Sequence, residues 1–225
     1  MSERLPARVW RTLRDEGPRG VWFRGLAVLG FRRLYLLRRP LSAPIADCEA
    51  SLPVTIEWLA AEDADAYRGF REQPQGFEPV RRLAAGDRCL VARHDGRIVG
   101  AMWGSTTRAR SDYLGRNLPL AAGEAFQFNA YTAPAVRGMG VAPALSVAWL
   151  RHLRDEGCST ALRLTLPENA AALRAHAKAG YRIVAIVRSL RLGPWPCHFG
   201  TRPVAMATAV AVSPAARRST SRSSS

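Results

Sequence analysis

The residues of this 225-residue chain that most clearly suggest chemistry form the run Arg137-Gly138-Met139-Gly140-Val141-Ala142, which comes directly before an amphipathic stretch. Gly138 and Gly140 permit positive φ angles and let a ligand approach the backbone closely. The free N–H groups at the start of the following helix, with the helix dipole, would form an anion site that suits a pyrophosphate. Arg137 adds a fixed positive charge. The run therefore predicts a phosphate-binding loop, although two glycines can also serve only the geometry of a β-to-α turn.

This loop differs from the two best-known nucleotide-binding patterns. It is not the six-position glycine pattern of Rossmann folds, and it has no Lys-Ser/Thr pair of a P-loop. It also follows the fourth predicted strand, whereas both of those patterns follow the first strand of their unit.

The elements that must position the loop alternate between strands and helices. Asp95-Gly96 between two apolar runs predicts a β-hairpin, and Gly157 and Gly180 predict helix ends. The predicted strands are Val54–Leu59, Arg88–Arg93, Arg97–Thr106, Ala125–Thr132, Thr160–Leu166 and Tyr181–Leu192. The predicted helices are Glu62–Phe70, Pro79–Ala85, Val141–Glu156 and Glu168–Ala179. This order predicts an α/β fold.

Two motifs resemble those of the GNAT acetyltransferases. The family carries Arg/Gln-x-x-Gly-x-Gly/Ala at the turn after its fourth strand, and Arg137–Ala142 matches it at each specified position. A second family motif runs from an Asn through an aliphatic helix to Lys-x-Gly-Phe/Tyr, and Asn169–Tyr181 is similar to it. The resemblance covers roughly residues 53–192. It implies a mixed, splayed central sheet flanked by helices.

The resemblance also implies a reaction: direct transfer of an acyl group from acetyl-CoA, or another acyl-CoA, to a small-molecule or protein amine, with no metal. The pyrophosphate would rest on the amides of the loop beside Arg137, and the pantetheine would pair with the strand before it. The cofactor-binding residues implied are Tyr131, Thr132, Arg137, Gly138, Met139, Gly140, Val141, Ala142 and Asn169.

Candidates for proton transfer are less specific. In much of the family a tyrosine on the last helix protonates the leaving thiolate, and His176 takes its place here. A histidine can do this with a pKa near the working pH, or it can simply pack. Glu124 is near where some relatives place a glutamate that acts as base through water, but it can also be a solvated strand-end carboxylate. Gln127, Asn129 and Tyr131 alternate on one predicted strand face, so Gln127 and Asn129 are predicted to line the acceptor pocket.

The formal net charge of +15 lies mostly at the two ends of the chain. Residues 1–40 carry a net +7 and residues 201–225 a net +4, whereas residues 41–200 contribute only +4. We predict a basic amphipathic helical extension (1–40), an acyltransferase domain (41–200) and a small-residue, Ser/Arg-rich tail (201–225) that is disordered at its end. Without a basic face on the domain, no nucleic-acid partner is expected.

The N-terminal extension leaves two interpretations open. Residues 5–39 could lie on an anionic membrane surface through Trp10, Trp22 and Phe23, or pack on the domain or on a second subunit of a homodimer. No secretory signal or spanning stretch is evident, so the protein is predicted to be cytoplasmic, with peripheral contact at the inner membrane as the open question. The alternatives to an enzyme are a catalytically silent CoA-binding module and a membrane-surface protein on this fold.

Overall fold

Strands and helices form a mixed α/β fold, which confirms the predicted class. This computed structural model describes residues 18, 22–23, 25–26, 30–71, 77–192 and 195–203. The strands are β1 (Phe31–Pro40), β2 (Thr55–Trp58), β3 (Arg88–His94), β4 (Arg97–Ser105), β5 (Ala109–Ser111), β6 (Arg116–Leu118), β7 (Glu124–Thr132), β8 (Thr160–Thr165), β9 (Arg182–Leu192) and β10 (Trp195–Pro203). The helices with defined bounds are α1 (Ala64–Phe70), α2 (Pro79–Ala84), α3 (Val141–Asp155) and α4 (Ala170–Lys178). Short 3-10 turns cover Ala61–Asp63 and Pro134–Val136.

Eight strands form one sheet in the order β10-β9-β1-β8-β7-β4-β3-β2. β7 and β8 run parallel, and the other neighbouring pairs are antiparallel. Met102 and Trp103, adjacent in β4, belong to different apolar clusters because side chains alternate across a strand. Met102 packs with Trp149 of α3, and Trp103 packs with Tyr67 of α1. We call these two sides the α3 face and the α1 face.

Phe31–Pro40 is a central strand, which corrects the helical prediction for the last ten residues of the 1–40 extension, whereas the described residues before Gly30 (18, 22–23 and 25–26) are helical. β1 pairs on both sides, with Tyr35 opposite Thr165 of β8 and Ile186 of β9. Residues 1–17 of the predicted extension lie outside the described residues.

The burial of β1 explains why the helical prediction failed. Leu37 is buried in the α3-face cluster, and Leu34 is buried in a different cluster. A strand covered on both sides has a continuous apolar run, as residues 34–37 do. Periodicity cannot distinguish such a run from part of a buried helix.

Membrane contact through residues 5–39 therefore cannot include β1. Arg33 pairs with Glu168 at 2.5 Å, and Arg38 lies 3.6 Å from Glu124, so these cations have partners inside the fold. Contact through residues before Phe31 stays a prediction, and most of those residues are outside the described part of the chain. No helix within the described ranges is long and apolar enough to cross a membrane.

Most other predicted elements are found within a few residues of their predicted bounds. The segment between the predicted strands Arg97–Thr106 and Ala125–Thr132, for which no element was predicted, contains the small β5–β6 hairpin. β10 was not among the predicted strands. It pairs with β9 and extends to Pro203, past the predicted domain boundary at residue 200. The rest of the predicted tail lies outside the described residues.

β7 and β8 separate in the middle of the sheet, which confirms the predicted splay. Their parallel pairing ends at Gln127 and Arg163, although both strands continue. β7 also contains a bulge, since its pairing with β4 shifts between Phe128 and Tyr131, and Asn129 adopts φ 52°. We call the gap the β7–β8 wedge and place its vertex at Gln127 and Arg163.

Candidate active site

The glycine loop that follows β7 has amide N–H groups for which the described part of the chain offers no acceptor. Gly138 and Gly140 have φ angles of 83° and 80°, which favour glycine. The Met139 N–H bonds within the loop at 3.4 Å, whereas those of Gly138 and Gly140 donate to no acceptor among the described residues. Val141 and Ala142 begin α3, where N–H groups have no intrahelical acceptor. The loop can therefore present four donors to an anion.

A neighbouring segment braces the loop from one side. A Cβ added at Gly140 would lie 3.1 Å from both the Ala50 Cα and the Glu49 carbonyl oxygen. The Ser51 N–H donates to the Met139 carbonyl at 2.9 Å. By contrast, nothing lies within 4 Å of a Cβ added at Gly138. The loop is thus supported at Gly140 and open at Gly138.

The end of β7 and the loop are joined by Arg137. Its Nε donates to the Thr132 carbonyl at 3.2 Å, and its guanidinium carbon lies 5.9 Å from the centroid of the Tyr131 ring. The structure therefore brings the predicted cofactor-binding residues of β7 and of the loop together at the open end of the wedge.

The bulge overturns the predicted polar stripe on β7. Gln127 lies on the α3 face, where it is buried and accepts a hydrogen bond from the Tyr181 hydroxyl. Beyond the bulge, the Tyr131 ring packs edge-on against Phe70 of α1, with centroids 5.3 Å apart. Gln127 and Tyr131 therefore face opposite sides of the sheet, because the extra residue reverses the alternation.

Asn129, the second residue predicted to bind the acceptor, lies on the α1 face. Its Oδ1 accepts a hydrogen bond from Arg71 Nη2 at 2.9 Å. The Arg71 guanidinium carbon also lies 4.9 Å from the centroid of the Tyr131 ring. Positive φ is uncommon for a residue other than glycine, so Asn129 is held in a strained conformation at the wedge.

His176, the predicted acid, lies on α4 with its Nδ1 3.1 Å from Nη1 of Arg163. A guanidinium only donates, so Nδ1 must accept, and the neutral ring carries its proton on Nε2. Burial, and then the positive charge of Arg163, lower the pKa of His176 to about 4. The imidazole is neutral at pH 7, which corrects the expectation of a pKa near the working pH.

Two other predicted residues hold backbone in place. The Glu124 carboxylate accepts from the Ala121 N–H at 3.0 Å and lies 3.6 Å from Arg38, at the paired end of β7 away from the wedge. This geometry favours a strand-end role over the predicted base. The Asn169 side chain caps α4 by accepting from the Ala172 N–H at 3.0 Å.

Sequence reasoning missed Arg163, Tyr181 and Arg71 as members of the site. The available signal for Arg163 was a charged residue inside the apolar strand Thr160–Thr165. Charged residues are seldom fully buried without a partner, so such a position points to a special role. Tyr181 and Arg71 offered no comparable signal, since their relevance depends on the strands that pack beside them.

Comparison with known proteins agrees with this geometry. The model of the acetyltransferase (GNAT) family matches residues 54–181. The mycothiol acetyltransferase of Cellulomonas flavigena is 29% identical over 131 residues, covering 56% of this chain and 33% of that protein. The match therefore spans about a third of the length of this curated relative.

Solved structures share the fold at low sequence identity. A protein of the GNAT family from Novosphingobium aromaticivorans superposes with a TM-score of 0.52 at 17% identity, covering 71% of this chain and 65% of the other. A Drosophila protein superposes with a TM-score of 0.53 at 17% identity, covering 81% and 58%. At these identities the similarity establishes the fold alone.

Proposed function

Since the chain belongs to the acetyltransferase (GNAT) family, we propose that it is an N-acyltransferase that transfers an acyl group from an acyl-CoA directly to an amine. Acetyl-CoA is the proposed donor, and a small-molecule or protein amine is the proposed acceptor. The amine nitrogen attacks the thioester carbonyl, the carbon–sulfur bond breaks, and an amide and free CoA result. Here the protein supplies positioning and stabilisation of developing charge.

The observation that supports this proposal most directly is the position of the glycine loop, whose free N–H groups lie at the open end of the β7–β8 wedge. Residues 128–132 of β7 have no partner on β8, so their backbone groups on that edge can bond an inserted arm. A donor with a pyrophosphate at one end and an amide-bearing arm matches both features. The phosphates would bind the four free N–H groups of Gly138, Gly140, Val141 and Ala142, and the arm would run along Tyr131 and Thr132.

Three further residues complete the proposed donor site. Arg137 supplies positive charge beside the loop while it is tied to β7. Met139 is exposed at the loop surface, and Asn169 fixes the start of α4. No step of the reaction is assigned to these residues, because their contribution is to bind and orient.

The acceptor is proposed to approach from the α1 face. Arg71 contacts both Asn129 and Tyr131 there, next to the bulge. Phe70 packs edge-on against the Tyr131 ring. This places a polar amide beside aromatic surface at the point where β7 leaves β8. Gln127 is not part of this acceptor surface, because it faces the opposite side of the sheet.

A matched pair of glycine variants tests the donor site. Gly138 and Gly157 have φ angles of 83° and 81°, and a Cβ at either meets nothing within 4 Å. Gly138→Ala and Gly157→Ala should therefore lose similar stability. Only Gly138→Ala should weaken CoA binding, by about tenfold or more, because its Cβ obstructs the phosphates at the loop. Isothermal calorimetry with CoA, alongside urea denaturation, measures both quantities.

Two results would count against the proposal. Absence of CoA binding to the wild-type chain would reject it, and equal loss of affinity in both variants would remove the loop from the site. Acetyl-CoA consumption over a panel of amino sugars, polyamines and peptide N-termini then tests turnover. CoA binding without consumption of acetyl-CoA would instead support a catalytically silent CoA-binding module.

A further inference from the structure

Arg163 is a buried cation without a carboxylate partner among the described residues. It is 6% exposed, and Nη2 donates to the sulfur of Met102 at 3.3 Å. Its guanidinium carbon lies 5.5 Å from the centroid of the Tyr181 ring, and Nη1 bonds His176. Burying a charge without an opposite charge is costly, and this burial lowers the pKa of Arg163. Such a position suits a site that receives negative charge.

The other groups that the structure describes at the wedge vertex supply no negative charge. The Gln127 amide nitrogen is buried and has no hydrogen-bond partner among the described residues. Burial raises the pKa of Tyr181, so its hydroxyl stays neutral, and His176 is also neutral at pH 7. Arg39, on β1, adds a second positive charge near Tyr181. The vertex is therefore electropositive and has an unfilled donor.

On the proposed function, the reacting end of the donor meets this vertex. Phosphates held at the loop lie beyond Thr132, and an arm that follows β7 runs back from there toward Gln127. The distance along the strand is about 16 Å at 3.3 Å per residue. The thioester at the far end of the arm would then approach Arg163 and His176.

We infer that the Arg163–His176 pair stabilises the CoA thiolate, so that the leaving group departs as an anion without being protonated by the protein. This inference rests on the proposed function. Arg163 is a positioning residue: its hydrogen bond fixes His176 with the proton on Nε2, and its charge attracts the thiolate. His176 donates a hydrogen bond and keeps its proton.

The reaction balances without an acid. The amine nitrogen bonds to the acyl carbon, and the electron pair of the carbon–sulfur bond moves to sulfur. The amine loses one proton to solvent, and the products are an amide, the CoA thiolate and that proton. The thiolate takes a proton after release, according to the pH of the medium.

Binding of CoA alone tests this, because no acceptor is needed. Free thiols have a pKa near 8.5, and a nearby cation lowers it by about 1–3 pH units. Wild-type protein should therefore release protons when it binds CoA at neutral pH, and show the ultraviolet absorbance of a bound thiolate. Calorimetry in two buffers of different ionisation enthalpy counts the protons. Desulfo-CoA, which has no thiol, should bind without proton release.

Variants separate the role of Arg163 from its packing. Arg163→Met should bind desulfo-CoA with an affinity within about twofold of wild type, but its affinity for CoA should fall by about tenfold or more. Arg163→Lys keeps a positive charge, so it should retain part of the affinity for CoA. Arg38→Met is the matched control, since the Arg38 side chain is 51% exposed. If Arg163→Met does not fold, the comparison of CoA with desulfo-CoA on the wild-type protein still shows whether the vertex binds a thiolate.

Two outcomes would overturn the inference. If wild-type protein binds CoA and desulfo-CoA with equal affinity and no proton release, the vertex does not hold a thiolate, although the proposed function stands. If malonyl-CoA binds more tightly than acetyl-CoA, and Arg163→Met removes that preference, Arg163 recognises a carboxylate on the acyl group instead. Failure to bind any CoA ester would reject the proposed function itself.

Discussion

The Nε of Arg39 on β1 donates a hydrogen bond to the carbonyl oxygen of Ala179, 2.6 Å away at the C-terminal end of α4. The same guanidinium donates through Nη2 to the Pro44 carbonyl at 2.8 Å. Arg39 is only 4% exposed, so these bonds are shielded from water. The strand formed near the N-terminus thereby fixes the helix that carries His176.

We expect Arg39→Ala to lower the free energy of unfolding by about 3 kcal/mol, because two hydrogen bonds to a charged donor are lost in a buried setting. Arg38→Ala is the matched control, with a half-exposed side chain and a 3.6 Å ion pair. It should cost at most about 1 kcal/mol. Urea denaturation of the three proteins measures both values. Equal losses would show that Arg39 does not fix α4.

Gly140→Ala should destabilise the protein more than Gly157→Ala. Both positions have nearly the same φ, 80° and 81°, and a non-glycine residue there costs about 1–2 kcal/mol. Only Gly140 also brings a Cβ to 3.1 Å from backbone atoms of Glu49 and Ala50. Chemical denaturation should therefore show an additional loss for Gly140→Ala. Equal stability of the two variants would mean that the 49–51 segment moves away from the added Cβ at little cost in free energy.

Glu124→Gln tests the role of Glu124. A glutamine can still accept the Ala121 N–H bond and loses only the 3.6 Å contact with Arg38. We expect kcat/KM for acyl transfer to stay within about threefold of wild type. Loss of a general base removes about 10²–10⁴-fold in rate, so a fall of that size would restore Glu124 as the base. The assay is acetyl-CoA consumption with whichever amine the panel identifies.

His176 should make stability depend on pH in the acid range. Its folded pKa is about 4, below the ordinary value of 6.5, mainly because of burial. As the pH falls from about 6.5 to about 4, the unfolded chain binds a proton that the folded chain does not, so stability decreases. Above pH 6.5 the residue has no such effect. His176→Gln should lack this component in thermal unfolding measured across that range, while an unchanged pH profile would contradict the buried, neutral state.

The helices α1–α4, the hairpin and the glycine turn before α3 were predictable from sequence because their signals are local. Asp95-Gly96 needs only its own turn geometry, and Gly138 and Gly140 act through backbone angles and the start of the next helix. The Asn169–Tyr181 motif likewise matches a single capped helix.

Tertiary structure alone decided how those parts meet. Residues 34–37 suited a helix or a strand, and pairing with β8 and β9 selected the strand. The bulge at Asn129 reversed the strand face that alternation predicts. The Arg163–His176 contact joins different elements, and Arg39 meets Ala179 across 140 residues of chain. Sequence patterns record local backbone preference and periodic burial, whereas strand neighbours, bulges and buried charge depend on packing between distant segments.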